Sequence, residues 1–321
     1  MTLACAAISY RVGYLTAALG ILGSCGLSRN CMPPECSAIL GAATSYGRST
    51  PSNVPMATAI VRRMWVPALD AGFDPQGLAA VGDSLLVSGY ISLKVGQDRG
   101  QCRVYRVDQT TGATTGQFDV PSPCGHAGGI ALAGNGMIYI TDTHTLFRTP
   151  LADAFGSTLP SFQSFPLGPG LIGALAASGA ADIWIGTYVT DAPGRIFQFP
   201  AASLAALHDG QTLTRDMAKQ ALRIPSYAQG AAIDPAGRQL WISQSGFYWG
   251  RLTAIDTTTG AAIVDHAAPP GIEGINFDSK RTLWAVSEAG ARHNFDLPMA
   301  AVFVPFYPII FDLDLAKLPS N

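Results

Sequence analysis

Gly230-Ala-Ala-Ile-Asp-Pro-Ala-Gly-Arg-Gln-Leu-Trp-Ile-Ser243 is one copy of a unit that recurs along the chain. A glycine opens an apolar run, a Pro-Ala-Gly turn breaks it, and a second apolar run closes on a small residue. The same glycine stands at Gly77, Gly129, Gly173 and Gly274. The second runs are Leu85-Leu-Val-Ser88, Ile138-Tyr-Ile-Thr141, Ile183-Trp-Ile-Gly186, Leu240-Trp-Ile-Ser243 and Leu283-Trp-Ala-Val-Ser287. Runs of this length, rich in β-branched and aromatic residues and bounded by turn residues, read as strands.

A third run follows each time: Arg103–Asp108, Leu146–Pro150, Arg195–Pro200, Arg251–Asp256 and Ile309–Asp314. Thr110-Thr-Gly112 and Thr257-Thr-Thr-Gly260 supply the glycine that tight hairpins need. A fourth run precedes the next glycine, as at Gln117–Val120, Phe162–Phe165 and Ala221–Ile224. The glycines lie 52, 44, 57 and 44 residues apart, the length of a four-stranded propeller blade.

These spacings predict an all-β chain folded as a β-propeller of four-stranded blades. Five repeats are countable; six is the alternative, and a degenerate sixth would need about 40 more residues. A single four-stranded sheet cannot bury both faces, so the blades must pack around an axis. Leu86, Tyr139, Trp184, Trp241 and Trp284 are expected to fill the layers between blades, with sugar stacking the lesser alternative for the tryptophans. The last repeat stops after its third strand, and Thr58–Val66 is a strand ahead of the first repeat. It is expected to supply the missing outer strand and so close the ring.

Composition agrees with this reading. The chain of 321 residues is 48% apolar and 13% charged, with 35 Gly, 22 Pro and a net charge of −2. Glycine and proline recur too often for long helices. No run of basic residues exceeds Arg62-Arg63, so the counterion-releasing stripe of a nucleic-acid surface is missing. Residues 1–25 read as an export signal: Arg11 gives the positive charge and Val12–Leu22 the apolar core. Leu22-Gly-Ser-Cys25 resembles a bacterial lipobox, which implies lipidation at Cys25; an ordinary secretory signal is the alternative. Membrane contact is then expected only through a lipid anchor, because the apolar run is shorter than the ~20 residues of a spanning helix.

Setting aside Cys5 and Cys25 leaves Cys31, Cys36, Cys102 and Cys124. An even remainder suits an oxidising compartment. Two disulfides, Cys102–Cys124 and Cys31–Cys36, are favoured over zinc, whose structural sites usually take two closely spaced pairs. Residues 26–56, rich in Ser, Pro, Gly and Ala, read as a tether, and 57–321 as the propeller domain.

Ile224–Gly230, Trp241–Gly246, Ile272–Ile275 and Val286–Ala291 resemble the closing blades of secreted bacterial propellers of the broad YncE-like and gluconolactonase-like (senescence marker protein) group. The lactonases of that group imply a divalent cation, such as Ca2+, held in the channel by Glu, Asn and Asp. Here Glu273, Asp142 and Asn276 are the candidate metal ligands. Calcium takes six to eight oxygens, which makes this set thin, and no cofactor is the favoured reading. Gly168-Pro-Gly-Leu-Ile-Gly173 matches a dinucleotide fingerprint in letters, but its last glycine opens a strand where that motif needs a helix; it reads as a turn. Asp142-Thr-His144 places an acid and an imidazole two apart, on one side if extended.

Propellers bind at one mouth of the channel, where first strands begin and second strands turn into third. Gln76, His126, Gln229, Glu273 and Glu288, with Tyr90, Tyr188 and Tyr248, should converge there. Amides, carboxylates, an imidazole and phenols suit a polar small molecule, a glycan or an envelope protein partner. The expected function is an exported binding or scaffold module acting as a monomer. A metal-dependent lactonase or esterase is the alternative.

Overall fold

The computed structural model describes residues 39–46, 54–93, 100–156, 160–246, 248–295 and 307–318. The export signal, Cys25, and the Cys31–Cys36 pairing lie outside these residues. Strand β1 (Ile60–Trp65) precedes the repeats. Blade 1 follows as β2 (Phe73–Val81), β3 (Ser84–Ile91), β4 (Cys102–Asp108) and β5 (Thr114–Asp119). Blade 2 is β6 (Gly129–Leu132), β7 (Met137–Asp142), β8 (Thr145–Pro150) and β9 (Gln163–Pro166). Blade 3 is β10 (Leu175–Ser178), β11 (Asp182–Gly186), β12 (Gly194–Pro200) and β13 (Gln220–Ile224). Blade 4 is β14 (Ala228–Ile233), β15 (Gln239–Gly246), β16 (Trp249–Asp256) and β17 (Ala262–Ala268). Blade 5 is β18 (Ile272–Phe277), β19 (Leu283–Ser287), β20 (Ile309–Leu313) and, as its outer strand, β1. Every pairing within the blades is antiparallel. The fold is a five-bladed β-propeller.

Glycine on the inner strands is dictated by how close the blades come at the axis. A Cβ on Gly129 would stand 2.2 Å from the Ala176 backbone nitrogen of blade 3. On Gly274 it would meet the Leu78 nitrogen of blade 1 at 2.3 Å, and on Gly230 the Glu273 carbonyl oxygen of blade 5 at 2.5 Å. Opposite these glycines stand small hydroxyl residues: Gly77 pairs with Ser88, Gly129 with Thr141 and Gly230 with Ser243. Ser88 Oγ donates to the Ala127 carbonyl at 2.9 Å, and Ser243 Oγ to the Glu273 carbonyl. Each thereby ties its blade to the next.

Blade 3 corrects the predicted register. Leu175, not Gly173, occupies the inner position, and its partner on the second strand is Gly186. A Cβ on Gly186 would lie 2.6 Å from Leu175 Cδ1, so the small and large residues have exchanged strands. Gly173 belongs to the turn before β10, as does the rest of the Gly168–Gly173 stretch.

Leu86, Tyr139, Trp184, Trp241 and Trp284 are all buried, in clusters shared between neighbouring blades. Strand β1 closes the ring on β20 through Arg63 opposite Phe311, Met64 opposite Ile310 and Trp65 opposite Ile309. Residues 39–46, within the stretch read as a tether, lie against this closing blade. Leu40 bridges Met64, with Leu40 N–H donating to the Arg63 carbonyl and Trp65 N–H to the Leu40 carbonyl, both at 2.9 Å. Thr44 and Ser45 bind the Asp70 carboxylate. Backbone that would face solvent on an outer strand is partly covered in this way.

Candidate binding site at the channel mouth

Three inner strands carry a β-bulge beside their glycine. The register slips between Pro75 and Gly77, between Ala228 and Gly230, and between Ile272 and Ile275. A bulge adds a residue and re-aims its side chain. The residues so placed are Gln76, Gln229 and Glu273.

Blade 2 delivers His126 by another route. Asp142, at the end of β7, accepts from three successive backbone N–H groups, of Gly125, His126 and Ala127, at 3.2, 2.6 and 3.1 Å. The same loop is held by the Cys102–Cys124 disulfide, with Cα atoms 5.9 Å apart, and by the Ser88–Ala127 bond. Ala127 takes a left-handed φ of 50°, which those anchors sustain. The His126 ring then stands 5.7 Å, centroid to centroid, from that of Tyr90.

Gln76, Tyr90, His126, Tyr188, Gln229 and Glu288 line one cavity of about 460 Å³. Across it, Gln76 Nε2 donates to Glu288 Oε2 at 2.9 Å, linking blade 1 to blade 5. Thr143, Ile172, Ala174 and Asn294 complete the lining, and the sequence reading had missed them. Thr143 sits in the loop between second and third strands, as Tyr188 does, so loop position alone could have found it. Asn294 lies in the short helix α1 (Arg292–Phe295), within the long excursion between β19 and β20, where the repeat gives no register.

Two expected members stand apart. Tyr248, in the β15–β16 loop, is 47% exposed and does not line the cavity. Glu273 is only 1% exposed and lies behind the cavity wall, not on a wet channel surface. Its Oε1 accepts from Ser245 Oγ at 3.1 Å. Burial, and then the charges of Glu288 and Asp74, push the Glu273 carboxyl well above its ordinary range, with the Ser245 bond pulling the other way. Burial, followed by Glu273, also raises the Tyr188 phenol. Glu273, Glu288 and Tyr188 therefore share one field.

The proposed metal ligands have separate partners. Asp142 Oδ1 holds the 125–127 backbone, and Asn276 Oδ1 accepts from Ala80 N–H at 3.2 Å. Asn276 is three residues beyond Glu273, about 10 Å along a strand. Among the described residues, the one group of three metal-capable side chains is Cys102, Cys124 and Asp142, and its two sulfurs are bonded to each other. Asp142 is buried while His144 is exposed, so the two side chains do not share an environment.

An aromatic run borders the cavity on its blade 3–blade 4 side. Tyr188 meets Tyr227 edge-on at 6.2 Å, and Tyr227 meets Trp249 at 5.3 Å. Tyr188 and Trp249 are each 38% exposed.

No protein-family model matches the sequence, and no curated protein matches it. Among solved structures, the chain is similar to Myxococcus xanthus glutaminyl cyclase. The TM-score is 0.52 at 10% identity, over 79% of this chain and 94% of that one. A luciferin-regenerating enzyme aligns at TM-score 0.44 and 11% identity, over 78% of this chain and 95% of that one. A glucose dehydrogenase aligns at 0.41 and 9%, over 87% of each. These are β-propeller proteins, and at such identities the likeness is one of fold.

Proposed function

We propose that the protein is an exported binding propeller whose channel mouth takes a polar small molecule or the end of a glycan. The observation that carries this reading is the convergence of three amides, a carboxylate, an imidazole and two phenols on one 460 Å³ cavity. A pocket of that size with a few oriented polar groups against partly apolar walls is the usual form of a small-molecule site. The aromatic run beside it favours a flat, polyhydroxylated ligand, because an aromatic face stacks on apolar surface while its polar edge stays wet. A disulfide in the propeller is consistent with an oxidising compartment.

The test is a panel of neutral and amino sugars, polyols and lactones, read by calorimetry on the wild type, Gln76→Ala and Glu288→Gln. Binding by the wild type that falls about tenfold in either variant, as the loss of one charge-assisted hydrogen bond implies, supports the reading. Binding that both variants keep in full sinks it. The second reading, a cation-dependent lactonase or esterase, rests on the carboxylates of Glu273, Glu288 and Asp74 acting on one another. Metal analysis of the purified protein separates the two: stoichiometric divalent cation, lost in Glu288→Gln together with lactone turnover, establishes the second.

A further inference from the structure

The third strands of blades 1, 3 and 4 carry equivalent arginines near their starts, Arg103, Arg195 and Arg251. In blade 1 the fourth strand places Asp119 directly opposite Arg103, and the two form a two-pronged pair at 2.5 and 3.0 Å. In blade 4 the fourth strand supplies Asp265, which binds Arg251 through Nε at 2.8 Å and through Nη2. In blade 3 the residue opposite Arg195 is Arg223. Two arginines stand opposite each other where blade 1 sets an arginine against an aspartate; in blade 4 the residue opposite Arg251 is Ala267, and Asp265 reaches the arginine from two residues away.

Like charges directly across a strand pair are destabilising. A third guanidinium joins them: Arg215, in the loop before β13, lines with Arg195 a groove of about 590 Å³ on this face of blade 3. Asp216 is the one carboxylate lining the same groove. Among the described residues, Arg195, Arg215 and Arg223 make no ion pair. All three are exposed. The groove lies against the blade face and is lined by none of the residues of the channel-mouth cavity.

We propose that this groove binds an anion, and that a phosphoryl or sulfuryl group accepts from its arginines as Asp119 and Asp265 accept from Arg103 and Arg251 in the other two blades. Planar guanidinium groups donate in pairs to such oxyanions; Arg195 and Arg215 line the groove, and Arg223 stands across the strand pair from Arg195. The positive charge is invisible in the sequence, because positions 195, 215 and 223 meet only once β12 and β13 have paired.

The test uses the full chain, with inorganic phosphate, inorganic sulfate and glycerol 3-phosphate as soluble probes, and vesicles of phosphatidylglycerol against phosphatidylcholine. Arg223→Asp recreates the arginine–aspartate arrangement of blade 1, and Arg195→Gln removes one donor. Arg238→Asp makes the same change of charge on an exposed turn of blade 4 and serves as the control. The expected result is that phosphate or its ester binds the wild type and the control equally. Both groove variants should bind at least about tenfold more weakly, the scale of one lost charge-assisted bond. Arg223→Asp should also melt above the wild type in phosphate-free buffer. Retention on phosphatidylglycerol vesicles, competed by glycerol 3-phosphate, assigns the group to a lipid headgroup; binding of the soluble ester alone assigns it to a free ester. Absence of binding by every probe overturns the proposal, and so does an equal loss in Arg238→Asp.

Discussion

Arg62 on the first strand and Asp312 on the last are joined twice, the Arg62 backbone N–H and Nε each reaching a different carboxylate oxygen at 2.6 Å. The Arg62 guanidinium also lies over the Trp284 ring, 4.5 Å from its centroid. The Asp312 side chain is 3% exposed, so it has no water to turn to if the arginine is removed. The pair fastens β1 to β20 inside one blade.

Asp312→Ala should therefore cost about 2 kcal/mol, less than a fully buried pair because Arg62 is partly solvated. Deleting residues 58–66 should do much worse, since it strips the fourth strand from blade 5. Urea unfolding of the two variants measures both effects. A deletion that left the midpoint in place would show that β1 contributes nothing to closure.

Reducing Cys102–Cys124 removes a cross-link over 22 residues, worth about 3 kcal/mol on the chain-entropy model. Cys102→Ser with Cys124→Ser should lower the melting temperature accordingly and loosen the loop that carries His126. Peptide mapping without reductant should recover the two cysteines linked. Free thiols at both positions would contradict this.

Glu273→Gln should stabilise the protein at neutral pH. The native carboxyl holds its proton more tightly than the unfolded one, because burial, Glu288 and Asp74 all disfavour its charge. The contribution of Glu273 to stability is therefore fully present at and below the ordinary value of 4.5 and is lost as pH rises through the folded value. Glutamine keeps the acceptor for Ser245 and cannot ionise. Wild type and variant should melt together in acid and diverge upward from there, with the variant higher. Identical pH profiles would mean that Glu273 titrates as if it were in water.

Gly129→Ala and Gly125→Ala should differ sharply although both are glycine-to-alanine changes in one short segment. At 129 the new methyl would meet backbone at 2.2 Å, whereas at 125 nothing lies within 4 Å. The first should cost several kcal/mol through displacement of the inner strands, and the second should stay within about half a kcal/mol. Calorimetric melting of the pair decides it.

Much of this molecule was legible in the chain because a geometric demand recurs. Only glycine fits where these inner strands touch, so Gly77, Gly129, Gly230 and Gly274 mark four blades, and all but Gly129 have a bulge beside them. Blade 3 escaped that logic: Leu175 against Gly186 meets the same volume limit with the sizes reversed, and a turn glycine two residues earlier took the place of the signal. The mouth was legible as a set of positions but not as a set of orientations. Glu273 and Gln229 both precede a glycine, yet one lies behind the wall and the other lines it. The Arg195–Arg223 opposition had no signature at all, since it belongs to the pairing of strands and not to any run of residues.

The clasp also sets a timetable. Asp312 lies 250 residues beyond Arg62, and a ribosome adding ~5–20 residues per second takes on the order of ten to fifty seconds to cover that distance. Through all of that interval β1 is made and has no partner, while four blades can already be assembling beside it. Native closure waits until β20 has been made, and a chain stopped anywhere before Ile309 carries a β1 whose partner strand is missing.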